Sequence, residues 1–216
     1  MMKVLNCLPI MLLALLTACA ANKVTEESHS GFLANYAQLQ PSEIYPNSKV
    51  FVESDVNFSN YKSLIIDKVV ILSSAALENP NDSLMRSIAT QYEQELKDSF
   101  RQQGYKIVNQ AGAGTARIQT AITSVYTSFD DLKAYQYIPI AAAITGTMRA
   151  TGKAKRNARV MMEAKVTDAK TNQLLASIID LQKGEEVDEG SKVSISSVKP
   201  VLKQWATRFA KAFSSL

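Results

Sequence analysis

Lys62-Ser63-Leu64-Ile65-Ile66-Asp67-Lys68-Val69-Val70-Ile71-Leu72 is the stretch on which the fold turns. A strand with one wet face alternates apolar and polar residues. Here Leu64-Ile65-Ile66 and Val69 to Leu72 are apolar at odd and even positions alike. The pattern predicts a strand over residues 62–72 that is covered on both faces and lies well inside a sheet. Asp67 falls within it, and a buried carboxylate is costly unless it is partnered.

Working outward, Asn79-Pro80-Asn81-Asp82 is turn and helix-start chemistry. The period then changes to 3.6. Leu84, Met85, Ile88, Ala89, Tyr92, Leu96 and Phe100 fall on one stripe, with Glu93, Glu95, Lys97, Asp98 and Arg101 elsewhere. This predicts a helix over 82–103, closed by Gly104, which tolerates a left-handed backbone. Strands are predicted over 49–53, from 105, over 116–127, and as a hairpin over 159–167 and 173–181. Asp168-Ala169-Lys170-Thr171-Asn172 makes the hairpin turn, with Asn172 able to take a positive φ. A last helix is expected over 194–214. Its core stripe is Val198, Val201, Leu202, Trp205, Phe209, Ala212 and Phe213, and Lys199, Lys203, Arg208 and Lys211 face out. Two helices with one apolar stripe each must cover the same sheet. The expected fold is α/β (α+β): one mixed sheet with two amphipathic helices chiefly on one face.

The chain opens differently. Lys3 precedes the apolar run Leu8-Pro9-Ile10-Met11-Leu12-Leu13-Ala14-Leu15-Leu16, too short to span a bilayer, which takes about 20 apolar residues. Leu16-Thr17-Ala18-Cys19 follows. It resembles the lipobox of bacterial lipoproteins, in which the Cys thiol receives a diacylglycerol and the signal is cut just before it. The expectation is cleavage between Ala18 and Cys19 and an acylated Cys19; the alternative is an ordinary signal with a free thiol. Residues 1–18 read as signal, 19–30 as a polar tether and 31–216 as a single domain. Ala20, not Asp, follows Cys19. Among Gram-negative lipoproteins an Asp there favours the inner membrane, so for a Gram-negative source Ala20 points to the outer membrane, periplasmic face.

Composition narrows the function. Cys7 and Cys19 are the two cysteines, and His29 is the one histidine. With Cys7 in the signal and Cys19 acylated, the domain has no cysteine, and its histidine lies in the tether. A Ser-His-Asp site, a thiol nucleophile and an ordinary zinc site are therefore not expected. No catalytic residue, metal or cofactor is assigned. The formal charge of +4 falls by one with Lys3; nothing in it calls for a nucleic-acid partner.

Several features are candidate sites. Between Asp131 and Glu163 stand Lys133, Arg149, Lys153, Lys155, Arg156 and Arg159 with no acid. Of these, Arg149, Lys153, Lys155, Arg156 and Arg159 are the candidate contacts to an anionic surface, at about 1 kcal/mol per cation; the plainer and favoured reading is a solvated loop or hairpin end. Tyr135 to Ile144 is an apolar stretch that either contacts a lipid or partner or, the favoured reading, packs back on the sheet. Asp67, Asp130, Asp131, Glu163, Asp168 and Asp180 could supply an acid–base pair, but their spacing selects no two of them. Asp67 is expected to be held by a lysine or a backbone bond. Gly112-Ala113-Gly114 lacks the Gly-Lys-Ser/Thr ending of a phosphate loop and reads as a turn. Glu185-Glu186-Val187-Asp188-Glu189 reads as an acidic loop before the last helix.

Three stretches carry a resemblance. Ser30-Gly31-Phe32-Leu33-x-x-Tyr36-x-x-Leu39 is an amphipathic turn or helix after the tether, with its four apolar residues on one face. Phe58-Ser59-x-Tyr61-Lys62 leads into the long apolar stretch. Asp168-x-x-Thr171-x-x-Leu174-Leu175-Ala176-x-x-x-Asp180 covers the late hairpin. In this order after a lipobox they resemble the bacterial lipoprotein family catalogued as domain of unknown function 3313, over nearly all of residues 30–216. Asn172 departs from the Gly of that family's turn. The resemblance implies fold and location more than activity. More distantly, the element order is similar to the periplasmic domains of the curli-secretion lipoprotein and of lipoprotein activators of penicillin-binding proteins.

The function expected is a non-enzymatic binding or scaffolding module on the envelope, anchored in the membrane through lipid, with an envelope protein or glycan as partner. The alternatives are a carboxylate-based hydrolase of envelope glycans and a subunit of a secretion or transport assembly.

Overall fold

A computed structural model describes residues 29–45, 47–72, 83–129, 156–187 and 195–216. Its strands are β1 (Gln40–Pro41), β2 (Ser48–Val52), β3 (Ser63–Ile66), β4 (Val70–Ile71), β5 (Lys106–Ile107), β6 (Thr115–Phe129), β7 (Arg156–Asp168) and β8 (Leu174–Val187). The helices are α1 (Ser83–Gln102) and α2 (Ile195–Ser214). The strands form one mixed sheet in the order β1-β2-β8-β7-β6-β3-β5, with β4 also on β6. Strands β6, β7 and β8 make a long antiparallel meander, and β3, β4 and β5 join in parallel.

Both helices lie on one face, as the two stripes require. Ile88, Tyr92, Leu96 and Phe100 of α1 and Val198, Leu202, Trp205 and Phe213 of α2 form one core with Leu64, Ile66, Ile118, Ile122, Met162 and Val166 of the sheet. Each such side chain contributes about 1.5–3 kcal/mol by leaving water. Phe100 sits among Tyr105, Phe209 and Phe213 at ring separations of 5.6–5.8 Å, edge to face. Gly104 ends α1 with φ +89, as its position predicts.

Three expectations change in detail. The stretch 62–72 is two strands, not one. Ile66 pairs with Ile118 and Val70 with Ala121, so one extra residue is inserted opposite β6. Asp67 follows Ile65 onto the opposite face from Leu64 and Ile66, the face of Arg117; its side chain is 27% exposed and bound to Arg117, not to lysine. Residues Glu185 to Val187 are not loop; they continue β8, paired with Arg156 and Asn157 of β7. The 30–39 segment takes the turn alternative, a chain of bends and turns, and Leu33 and Leu39 are buried with Phe32 and Tyr36 beside them, as their shared face predicts. They cover Met161, Ile179 and Leu181 on the sheet face away from the helices.

Candidate functional site

The hairpin turn explains two of the stretches that carried the resemblance. Asp168 Oδ1 accepts the N–H groups of Lys170 and Thr171 at 2.9 and 2.8 Å and the Thr171 hydroxyl at 3.1 Å. Its other oxygen accepts the Tyr61 hydroxyl at 3.1 Å. The backbone N–H of Thr171, more than any other group, holds this carboxyl below the usual carboxylate range. Asn172 takes φ 60 and so replaces a turn glycine. Gly114 has φ +65 and stands against Asn60, where a Cβ would lie 2.6 Å from a backbone oxygen. Lys62 and Ser63 both donate to the Gly114 carbonyl. Gly112-Ala113-Gly114 is a structural turn, and the residues around Asp168 build a corner of the fold.

On the face away from the helices, Glu163 is fully buried. Tyr36 donates to its Oε2 at 2.6 Å and the Ser30 N–H to its Oε1 at 3.1 Å. The same phenol oxygen accepts from the N–H of Gly31 at 2.9 Å and of Leu33 at 3.3 Å. Burial and then the Glu163 bond raise the Tyr36 phenol above its ordinary pKa. His29 stacks on the Tyr36 ring at 3.9 Å, and the Lys165 ammonium lies 5.0 Å from the Phe32 ring. Residues 29–36 are therefore clasped to the sheet through one carboxylate.

On the helix face, Asp180 is 3% exposed. It accepts from the Ser48 hydroxyl of β2, the indole N–H of Trp205 on α2, and the Gln182 amide at 3.0 and 2.8 Å. Its donors are neutral. Tyr92 is wholly buried beside Trp205 and donates to the Met162 sulfur; burial, with the Asp180 charge second, pushes its phenol well up. Sequence alone groups Asp180 with the other carboxylates and does not reveal its partners. The available signal is its position in Ile178-Ile179-Asp180-Leu181, among inward residues, together with a tryptophan whose N–H must find an acceptor.

The Asp180 bonds tie β2, β8 and α2 together at one level. Farther along the same three elements the walls part. Val50, Val166, Ala176 and Ile178 from the sheet face Phe209 and Ala212 from α2 across an open slot of about 140 Å³. Its rim is Ile44, 72% exposed, Val52, 39%, and Leu216, 53%. Among the described residues only Val70 is another large hydrophobe so exposed, so outward apolar surface gathers at this rim. Tyr45 also lines the slot, and the Arg208 guanidinium lies 4.1 Å from its ring centroid.

The expected basic contacts are only partly placed. Arg156 and Arg159 lie on β7, opposite Phe129 and Tyr126 of β6. Arg149, Lys153 and Lys155 lie outside the described residues, as do Lys133, Asp130, Asp131 and the stretch from Tyr135 to Ile144. Asn79 to Asp82, Asp188, Glu189 and residues 1–28 lie outside them too. Among the described residues, no group of three His, Cys, Asp or Glu side chains is arranged to hold a metal, and no helix is long and apolar enough to cross a membrane. The carboxylates are drawn into separate structural bonds: Asp67 to Arg117, Asp168 to Tyr61, Glu163 to Tyr36, Asp180 to Trp205.

The chain is 26% identical over 200 residues to the uncharacterized lipoprotein YdcL of Escherichia coli K12, covering 89% of this chain and 88% of that one. It is thus a lipoprotein homologue. Among solved structures, the PelC dodecamer from Paraburkholderia phytofirmans matches with a TM-score of 0.42 at 8% identity, over 77% of this chain and 96% of that one. A minor lipoprotein from Acinetobacter baumannii matches with a TM-score of 0.39 at 9% identity, over 72% and 94%. Residues 28–209 match the family described as protein of unknown function, DUF3313. The chain belongs to that family.

Proposed function

We propose that this protein is acylated on Cys19, anchored in the outer membrane on its periplasmic side, and acts there as a non-enzymatic binding module. The observation that carries the reading is Leu16-Thr17-Ala18-Cys19 at the end of the apolar run. Two or three acyl chains, at about 0.8 kcal/mol per buried methylene, make such an anchor nearly irreversible. The 26% identity to a lipoprotein supports it. So does the clasp at Glu163, which receives the chain as it leaves the tether at Ser30. The engagement of Asp168, Glu163 and Asp180 in structural bonds favours binding over acid–base chemistry. The slot beside α2 is the binding site of choice.

The test is fractionation of cells that express the full chain or its Cys19→Ser variant, with metabolic labelling by palmitate. The wild type is expected in the outer-membrane fraction and labelled. Cys19→Ser is expected to be unlabelled and lost from it. Palmitate labelling and outer-membrane retention equal in the two proteins overturn the anchor.

A further inference from the structure

The slot has a shape that a flat docking face lacks. It runs between two layers, from the sheet residues Val50, Val166 and Ile178 to the last turns of α2 at Phe209 and Ala212. The Asp180 bonds close one end, and Ile44, Val52 and Leu216 leave the other open to solvent. Its volume of about 140 Å³ matches the roughly 150 Å³ apolar cavities that take up a benzene-sized guest. Polar side chains enter the lining only as Ser42, Tyr45, Ser177 and Ser215. Of the four cations on α2, a helix with no Asp or Glu, Arg208 is the one placed at the slot, its guanidinium 4.1 Å from the ring of the lining Tyr45. The opposing charges are Glu43 and Glu53, in the segments flanking the β2 wall, and Asp180 at the closed end, which is taken up by Ser48, Trp205 and Gln182. An apolar slot beside a cationic edge fits an amphiphile with a narrow tail and an anionic head.

We propose that the slot holds a stretch of roughly six carbons of one aliphatic acyl chain of a separate lipid molecule, next to the anionic head of that lipid at the Arg208 edge. The proposal rests on the envelope reading above, because that is where such lipids are met.

The experiment feeds cells expressing the full-length protein a fatty acid that carries a diazirine in its tail. Cells are irradiated and the labelled peptides mapped by mass spectrometry. Adducts with the mass of a fatty acid or phospholipid are expected on peptides spanning 42–52 or 209–216. Ala212→Trp fills the slot and should cut that labelling by about tenfold, the burial of roughly two methylenes. Ile44→Asp changes an exposed rim residue without touching the core and should weaken it as well. Arg208→Gln should lower it about fivefold, as for one cation at an anionic surface. Unlabelled slot peptides, or labelling indifferent to both Ala212→Trp and Ile44→Asp, overturn the proposal. So does a slot adduct to the protein's own Cys19 peptide, or to another protein. Slot labelling indifferent to Arg208→Gln overturns the placing of the head. The Cys19 peptide reads the anchor separately: if it carries no lipid the anchoring reading fails, whatever the slot peptides show.

Discussion

Replacing Tyr36 by Phe removes one oxygen that holds the segment from Ser30 to Tyr36 on the sheet. That oxygen donates to the buried Glu163 at 2.6 Å and accepts from the N–H groups of Gly31 and Leu33 at 2.9 and 3.3 Å. A hydrogen bond to a charged group contributes about 1.5–3 kcal/mol, and removing one partner leaves the other to bear its desolvation. The upper half of that range applies, because Glu163 is left with the Ser30 N–H alone among the bonds of the described residues. The expected cost is about 2–3 kcal/mol, which for a domain of this size is a fall of roughly 4–12 °C in Tm. Equilibrium unfolding in urea of the chain without residues 1–19 measures it, with the slope m unchanged. In a double-mutant cycle with Glu163→Gln the two losses should fall short of additive by about 1–2 kcal/mol. A Tyr36→Phe protein within about 0.5 kcal/mol of its parent, or strict additivity with Glu163→Gln, refutes the clasp.

Other consequences follow from the same geometry. Asp168 has its pKa lowered in the folded state, so its contribution to stability is complete above the ordinary carboxylate value of about 3.9 and is lost as pH falls through the lower folded value. Asp168→Asn should therefore flatten the acid limb of a stability–pH curve below about pH 4, and an unchanged limb argues against it. Gly114→Ala combines φ +65 with a Cβ 2.6 Å from the Asn60 oxygen, and should cost about 1–3 kcal/mol in thermal or urea unfolding. Phe100→Ala opens a cavity among Tyr105, Phe209 and Phe213 and should cost about 3–5 kcal/mol by the same measurement.

The helix-and-sheet layout is legible in sequence because it rests on periodicity. The stripe from Leu84 to Phe100 and that from Val198 to Phe213 leave one answer for each helix, and both meet the sheet where they should. Register is not legible. Nothing in residues 62–72 announces that β3 and β4 are separated by a bulge, because the extra residue is counted against β6, a partner remote in sequence. What the sequence alone does not show for Asp67 is its partner: Arg117 is fifty residues away and meets it only through the pairing of β3 with β6. The segment 30–39, left open in sequence between turn and helix, is a turn: its hydrogen bonds go to side chains such as Tyr36 and Asn35, which satisfy the backbone locally. Glu185 and Glu186 read as loop because charge and strand propensity are opposed, yet pairing with β7 carries them onward. The slot is invisible in sequence. It exists because Ile44, Val52 and Leu216, far apart in the chain, come to one rim through the pairing of β2 with β8 and the course of α2.

The anchor is tested most directly by intact mass and fragmentation of the amino-terminal peptide of protein purified from membranes. The expected result is a chain that starts at Cys19 and carries a diacylglycerol on sulfur. A chain that starts at Cys19 with a free thiol, or one that retains Met1 to Ala18, contradicts the anchor.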